Sequence, residues 1–217
     1  MDLKLHAFLP ASYANGPGRR AVVWVQGCTL GCPGCFNPET HPRAGAGAGE
    51  RVDVDDLFAR LAGLTGIEGV TISGGEPLQQ ARPVAALLAR ITAETSLSTL
   101  VFTGYSWAAA QRFGRVLAYV DVLLAGRLGK KTAHFLTGRY TQADLDAVPP
   151  AEVVIEPDGT VVLTGLQPLA TRTGLQKPVD VRASAGQISG LSPLDLDVER
   201  AHLDDRRLAD FDVEAAP

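Results

Sequence analysis

The chain has 217 residues, a net charge of −4, 46% hydrophobic residues and three cysteines. That length fits one ordinary domain with room for an appendage, and such a core needs no disulfide support. The charge and the lack of a basic stripe argue against nucleic-acid or anionic-membrane binding, and no apolar run reaches the eighteen or so residues of a membrane span.

Residues 3–9 are short and apolar and read as a first, edge-type strand ended by Pro10. Residues 13–20 are rich in turn formers, with Gly16-Pro17-Gly18 as the breaker. Ala21, Val22, Val23, Trp24 and Val25 form an apolar run, predicting a buried strand. It opens into Cys28-Thr29-Leu30-Gly31-Cys32-Pro33-Gly34-Cys35, which holds all three cysteines of the chain. Three thiols thus follow the end of a strand, where α/β folds place their chemistry.

An odd count without an apolar leader at the start argues against a secreted disulfide framework. A zinc site wants four ligands, and the fourth would have to be borrowed, with His41 the one nearby candidate. A four-iron cluster held by three thiolates keeps one iron open for a substrate or cofactor. Gly27, Gly31 and Gly34 allow positive φ, so the backbone can wrap a bulky cluster. The bland reading is three ordinary thiols on a glycine-rich turn. Clustered free thiols without an export signal point to the reducing cytoplasm.

Residues 44–49 alternate Ala and Gly and read as a flexible loop. Asp53 reads as an N-cap, followed by an apolar helical stripe of Leu57, Phe58, Leu61 and Leu64. Residues 69–72 form a short strand running into Ser73-Gly74-Gly75-Glu76-Pro77-Leu78. A Gly-Gly pair leaves carbonyls uncovered, and the adjacent carboxylate is a strong acceptor, so together they can receive a ligand amino group. The plainer alternative is a turn capped by Glu76, with Pro77 at the first helical position. Residues 83–91 predict a helix with Val84, Leu87, Leu88 and Ile91 on one face.

Residues 99–102 form a third buried strand ending at Thr103, and Ser106 caps a helix reaching about Phe113. Residues 119–124 form a fourth strand after the edge-type one, ending at Ala125-Gly126-Arg127. If the strands are parallel, Thr103 and Arg127 share one rim with Cys28 and Gly74 and become candidate ligand contacts. The plainer alternative makes them a turn residue and a solvated cation. Residues 141–148 suggest a short helix. Residues 152–156 and 160–164 flank Pro157-Asp158-Gly159, a hairpin signal, and this hairpin is expected to close the sheet. Residues 167–217 lose apolar periodicity and end acidic, which fits a solvated tail, a partner-docking segment or a lid.

The C-x3-C-x2-C spacing, with Asn15-Gly16-Pro17-Gly18-Arg19-Arg20 before the strand and Phe36-Asn37-Pro38-Glu39-Thr40 after Cys35, resembles the radical S-adenosylmethionine (SAM) superfamily. Gly74-Gly75-Glu76-Pro77 resembles the motif by which that superfamily holds the SAM amino group. The stretch is most similar to the glycyl-radical-enzyme activases, in particular those of anaerobic ribonucleotide reductase. The resemblance implies an α/β fold, an incomplete parallel barrel over residues 1–166 with a C-terminal hairpin, and an extension over 167–217. It implies a 4Fe–4S cluster on Cys28, Cys32 and Cys35, and SAM contacts at Gly34, Phe36, Gly74, Gly75, Glu76 and Thr103. Arg127 is a possible catalytic contact. SAM would be cleaved to a 5′-deoxyadenosyl radical that takes hydrogen from a protein glycine. A low-potential donor such as flavodoxin or ferredoxin would supply the electron. The chain departs from the pattern at Ala125, where an acidic residue is common. It also lacks the Trp and Gly-Ser…Asn-Gln segment after Arg127. That departure keeps open a different peptide or small-molecule substrate, and a non-enzymatic iron–sulfur or zinc module.

Overall fold

The computed structural model describes residues 1–42, 49–128, 130–155, 159 and 161–166. Most of the Ala/Gly stretch (44–48), most of the 156–160 turn and the whole extension 167–217 lie outside the described residues.

The sheet has seven strands, in the order β3-β1-β2-β4-β5-β6-β7. Its centre is four parallel strands, β2 (Arg20–Val25), β4 (Gly69–Gly74), β5 (Ser98–Thr103) and β6 (Val122–Ala125). Antiparallel strands flank them: β1 (Asp2–Ser12) and β3 (Glu50–Asp53) on one side, β7 (Thr132–Phe135) on the other. This is an incomplete, largely parallel α/β barrel, as expected.

Alternation on the strands explains the two layers of core. Ala21, Val23, Val25, Val70, Ile72, Val101 and Leu123 face the helices. There they meet Leu57, Phe58 and Leu61 of α1 (Val54–Ala62) and Val84, Leu87, Leu88 and Ile91 of α2 (Ala81–Glu94). Each such fully buried Leu, Ile or Phe contributes roughly 1.5–3 kcal/mol relative to exposure. The predicted helical stripes are those that pack. Asp53 caps α1 by accepting the Asp55 N–H at 2.7 Å. Ser106 caps α3 (Trp107–Ala110). The helix expected to reach Phe113 instead passes through a 3-10 turn and resumes as α4 (Gly114–Leu117).

The opposite, concave face carries Val22, Trp24, Leu100, Phe102 and Leu124. Its foot is organised by Arg20, fully buried at the start of β2. The Arg20 guanidinium donates to Thr71 Oγ1 (2.9 Å), the Pro17 carbonyl (3.0 Å), Ser98 Oγ (2.8 Å) and the Val70 carbonyl (2.9 Å). The Gly-Pro-Gly loop is therefore pinned at the foot of the sheet, at the opposite end of β2 from the cysteines.

Two expectations are corrected. The first strand is not an edge: β1 lies between β3 and β2. Pro10 does not end it, because the pairing with β2 is irregular between Leu9 and Ser12, where a missing N–H costs no ladder bond. The C-terminal hairpin, β8 (Glu152–Ile155) and β9 (Val161–Thr164), does not close the large sheet but forms a two-stranded sheet of its own. It docks on the β1–β2 connection. Ser12 Oγ and the Tyr13 N–H donate to Glu152 at 2.7 and 2.8 Å, Asn15 Nδ2 donates to Thr164 Oγ1 at 2.9 Å, and Val154 packs on Leu9, Val22 and Trp24. The short helix α5 (Gln142–Asp146) precedes it, within the predicted span.

Candidate cofactor site

The cysteine loop is held from below by a returning segment. Gln26, 1% exposed, donates through Nε2 to the carbonyls of Glu39 (3.2 Å) and Pro42 (2.9 Å) and accepts from His6 Nδ1 at 2.7 Å. The Gly27 N–H reaches the Thr40 carbonyl at 2.7 Å, and the Cys28 N–H reaches that of His41 at 3.3 Å. Residues 36–42 thus form a platform behind the thiols. Gly27, Gly31 and Gly34 all adopt positive φ, as their placement predicted.

The Gly74-Gly75 turn packs against the same strand end. A Cβ on Gly74, whose φ is +99°, would lie 2.5 Å from the Val25 backbone, and one on Gly75 would lie 2.5 Å from the Gly27 carbonyl oxygen. Only hydrogen fits at either place, so the pair brings the end of β4 against the root of the cysteine loop. Gly75→Ala is expected to cost about 1–3 kcal/mol from backbone displacement alone, read as a lower chemical-denaturation midpoint.

Glu76 is fully buried. Its Oε1 accepts from the Leu78 N–H (2.9 Å) and Thr103 Oγ1 (2.8 Å), and its Oε2 from the Gly104 N–H (2.7 Å). It therefore caps the 3-10 turn Pro77–Gln80 and ties the end of β4 to the end of β5. Burial pushes its carboxyl up from the ordinary value; the three hydrogen bonds and the nearby Lys131 ammonium oppose that.

The strands being parallel, Thr103, Arg127, Cys28 and Gly74 do share one rim. All four line a cavity of about 630 Å³, with Cys32, Cys35, Phe36, Gly75 and Glu76. Gly34, expected beside the cofactor, is not among its lining residues. The Thr103 hydroxyl is already committed to Glu76. Arg127 Nη1 crosses to the cysteine loop, donating to the Leu30 carbonyl at 2.9 Å and standing 4.0 Å from Cys32 Sγ.

Several lining residues were not anticipated, Lys131 among them. Lys131 Nζ donates to the carbonyls of Thr103 (3.2 Å) and Gly126 (3.0 Å), and burial pushes its ammonium down against the pull of Glu76. A Lys-Lys pair in a polar stretch reads as solvated, so nothing in the sequence marked it. Trp24 and Phe102 also line the cavity. Their strands carry apolar residues on both faces, which hides which face is which.

The donor set fits an iron–sulfur centre. The three cysteines are free thiols lining one cavity. Burial pushes the Cys35 thiol up, and the adjacent Cys32 and Cys28 add to it. Iron reverses that preference, since a coordinating thiol is deprotonated outright. Three soft sulfur ligands suit an iron–sulfur cluster over a hard cation. Among the described residues no helix is long and apolar enough to cross a membrane.

Comparison with known proteins converges on the same assignment. The family model described as a 4Fe-4S single cluster domain matches residues 14–141. The chain is 34% identical over 133 residues to the anaerobic ribonucleoside-triphosphate reductase-activating protein of Salmonella typhi, covering 58% of this chain and 84% of that one. It is 31% identical over 124 residues to the protein of the same name from Enterobacteria phage T4, covering 56% and 78%. It is also 31% identical over 127 residues to the pyruvate formate-lyase-activating enzyme of Clostridium pasteurianum, covering 56% and 50%. With the thiol loop, the Gly-Gly-Glu turn and the partial barrel in place, the chain belongs to the 4Fe-4S single cluster domain family, among the radical SAM activases of glycyl-radical enzymes.

Proposed function

We propose that this enzyme cleaves SAM reductively and takes a hydrogen atom from a backbone glycine of a larger partner, with an anaerobic ribonucleotide reductase as the target. The observation that carries the reading is the single cavity that holds both the three thiols and the Gly74-Gly75-Glu76 turn. The named relatives support the choice of target.

Cys28, Cys32 and Cys35 would hold the cluster, which when bound supplies the electron that breaks the SAM sulfonium bond. Gly74, Gly75 and Glu76 would receive the methionyl ammonium, with Thr103 fixing the Glu76 carboxyl group through their hydrogen bond. Phe36, which lines the cavity, would meet the adenine, and Arg127 would meet SAM or the substrate side. Trp24 and Phe102 would wall the cavity with apolar surface, excluding water and stray hydrogen donors. No acid–base side chain is needed for a hydrogen-atom transfer; the protein's work is placement. Residues 1–166 would form the catalytic core, with 167–217 as a separate extension, and a low-potential flavodoxin or ferredoxin would serve as electron source.

A second reading, radical chemistry on another peptide or a small molecule, is favoured by one feature. The hairpin residues Val162, Leu163 and Thr164 line the cavity, so its walls include a segment beyond the residues of the family match.

Anaerobic reconstitution followed by reductant and SAM is expected to yield 5′-deoxyadenosine, and adding the partner reductase a protein-based glycyl radical visible by electron paramagnetic resonance. No 5′-deoxyadenosine from fully clustered protein would refute the enzyme reading. 5′-Deoxyadenosine without a radical on the reductase would refute only the target.

A further inference from the structure

Groups outside the cysteine set reach the thiols, the Asn37 main chain at Cys35 among them. The Leu30 N–H lies 3.4 Å from Cys28 Sγ, Arg127 Nη1 lies 4.0 Å from Cys32 Sγ, and His41 Nε2 lies 3.3 Å from Cys35 Sγ. Of these three the His41 contact is the shortest. Its placement is fixed by the backbone. His41 follows the 3-10 turn Pro38–Thr40, donates its N–H to the Pro38 carbonyl at 3.1 Å, and accepts the Cys28 N–H at 3.3 Å. One residue thus braces the first cysteine through its main chain and meets the third through its ring.

A ligating thiolate carries no proton. The ring contact is then a hydrogen bond only when Nε2 bears the hydrogen. Donation to a cluster thiolate withdraws charge from the sulfur and favours the reduced, more negative cluster. We propose that His41 is a positioning residue of the iron–sulfur centre: its Nε2–H donates to Cys35 Sγ and raises the cluster's reduction potential, bringing the reduced state within reach of the electron donor. This rests on the cluster reading above, and gives His41 a part other than the fourth zinc ligand it could have been.

The side chain alone carries the effect, because the main-chain bond to Cys28 survives substitution. The test compares parent, His41→Phe and His41→Gln after anaerobic reconstitution, without SAM. Iron and sulfide per chain are counted, and the midpoint potential is read from a redox titration followed by electron paramagnetic resonance. All three are expected to hold a full cluster. His41→Phe should lower the reduced-to-oxidised ratio at fixed potential about tenfold, a shift of ~59 mV for one electron. His41→Gln, whose amide N–H can replace the donor, should recover part of it. An unchanged potential in fully clustered His41→Phe would overturn the inference and leave the cluster reading standing. Loss of the cluster in both variants would also overturn it, making His41 a ligand or a fold element. A parent protein that takes up no cluster would overturn both.

Discussion

Cys32→Ala is expected to abolish retention of the 4Fe–4S cluster while leaving the fold intact. Cys32 lies between the other two cysteines on a loop that is only partly buried and contributes nothing to the hydrophobic core. Its main-chain carbonyl accepts the Cys35 N–H at 3.3 Å, a bond alanine keeps. The hydrogen-bond partner at its sulfur cannot substitute as a ligand: it is the Arg127 guanidinium, 4.0 Å away, a cation with no lone pair to give. Two thiolates then face a four-iron cluster, and the one other donor beside the set, His41 Nε2, stands at Cys35 rather than at the place Cys32 leaves. The measurement is the visible absorbance and iron content of the reconstituted variant, against the thermal midpoint of the apo-protein. Loss of iron at an unchanged midpoint is expected. Full iron content in Cys32→Ala would remove this residue from the ligand set, and the open-iron argument with it.

How far the sequence carried this site depends on what each part is made of. The cysteine loop and Gly74-Gly75-Glu76 were legible because their chemistry is local: spacing, glycines and a strand end are visible in a dozen residues. The helices were legible because α1 and α2 repeat their apolar residues at the helical period, and the predicted residues are buried except Leu64, which lies past the end of α1 and is half-buried. The failures lie where pairing across the fold decides. Pro10 looked like a strand terminator, yet β1 carries it through a register irregularity and is flanked on both sides. The hairpin was legible from Asp158-Gly159, but a hairpin's own residues do not say which sheet it will join. Its docking depends on Ser12 and Asn15, more than a hundred residues upstream. The two short flanking strands, β3 and β7, have four residues each and were missed for want of any pattern that long. Lys131 enters the cavity only because β7 folds back antiparallel on β6.

The second large effect is expected at Glu76, where substitution by alanine and by glutamine should separate two roles. Alanine removes the shared acceptor of the Leu78 N–H, the Gly104 N–H and the Thr103 hydroxyl in a fully buried position. Three donors stranded there should cost roughly 3–5 kcal/mol. Glu76→Ala is therefore expected both to unfold at markedly lower denaturant and to lose SAM binding. Glutamine keeps one carbonyl acceptor and the volume but not the charge. It should retain most of the stability and still bind SAM weakly, because a methionyl ammonium gains far more from a carboxylate than from an amide. The pH dependence gives an independent check. Burial raises the Glu76 carboxyl, so the folded state holds its proton more tightly than the unfolded chain does. The contribution of this group to stability is greatest below the ordinary carboxylate range and falls as pH rises from there through the raised value. Glu76→Gln lacks that slope, so its stability relative to the parent should climb with pH across the same window. A stability difference flat in pH would show the carboxyl to be unperturbed. Unchanged SAM affinity in a folded, fully clustered Glu76→Gln would leave this residue as a brace between β4 and β5 and nothing more.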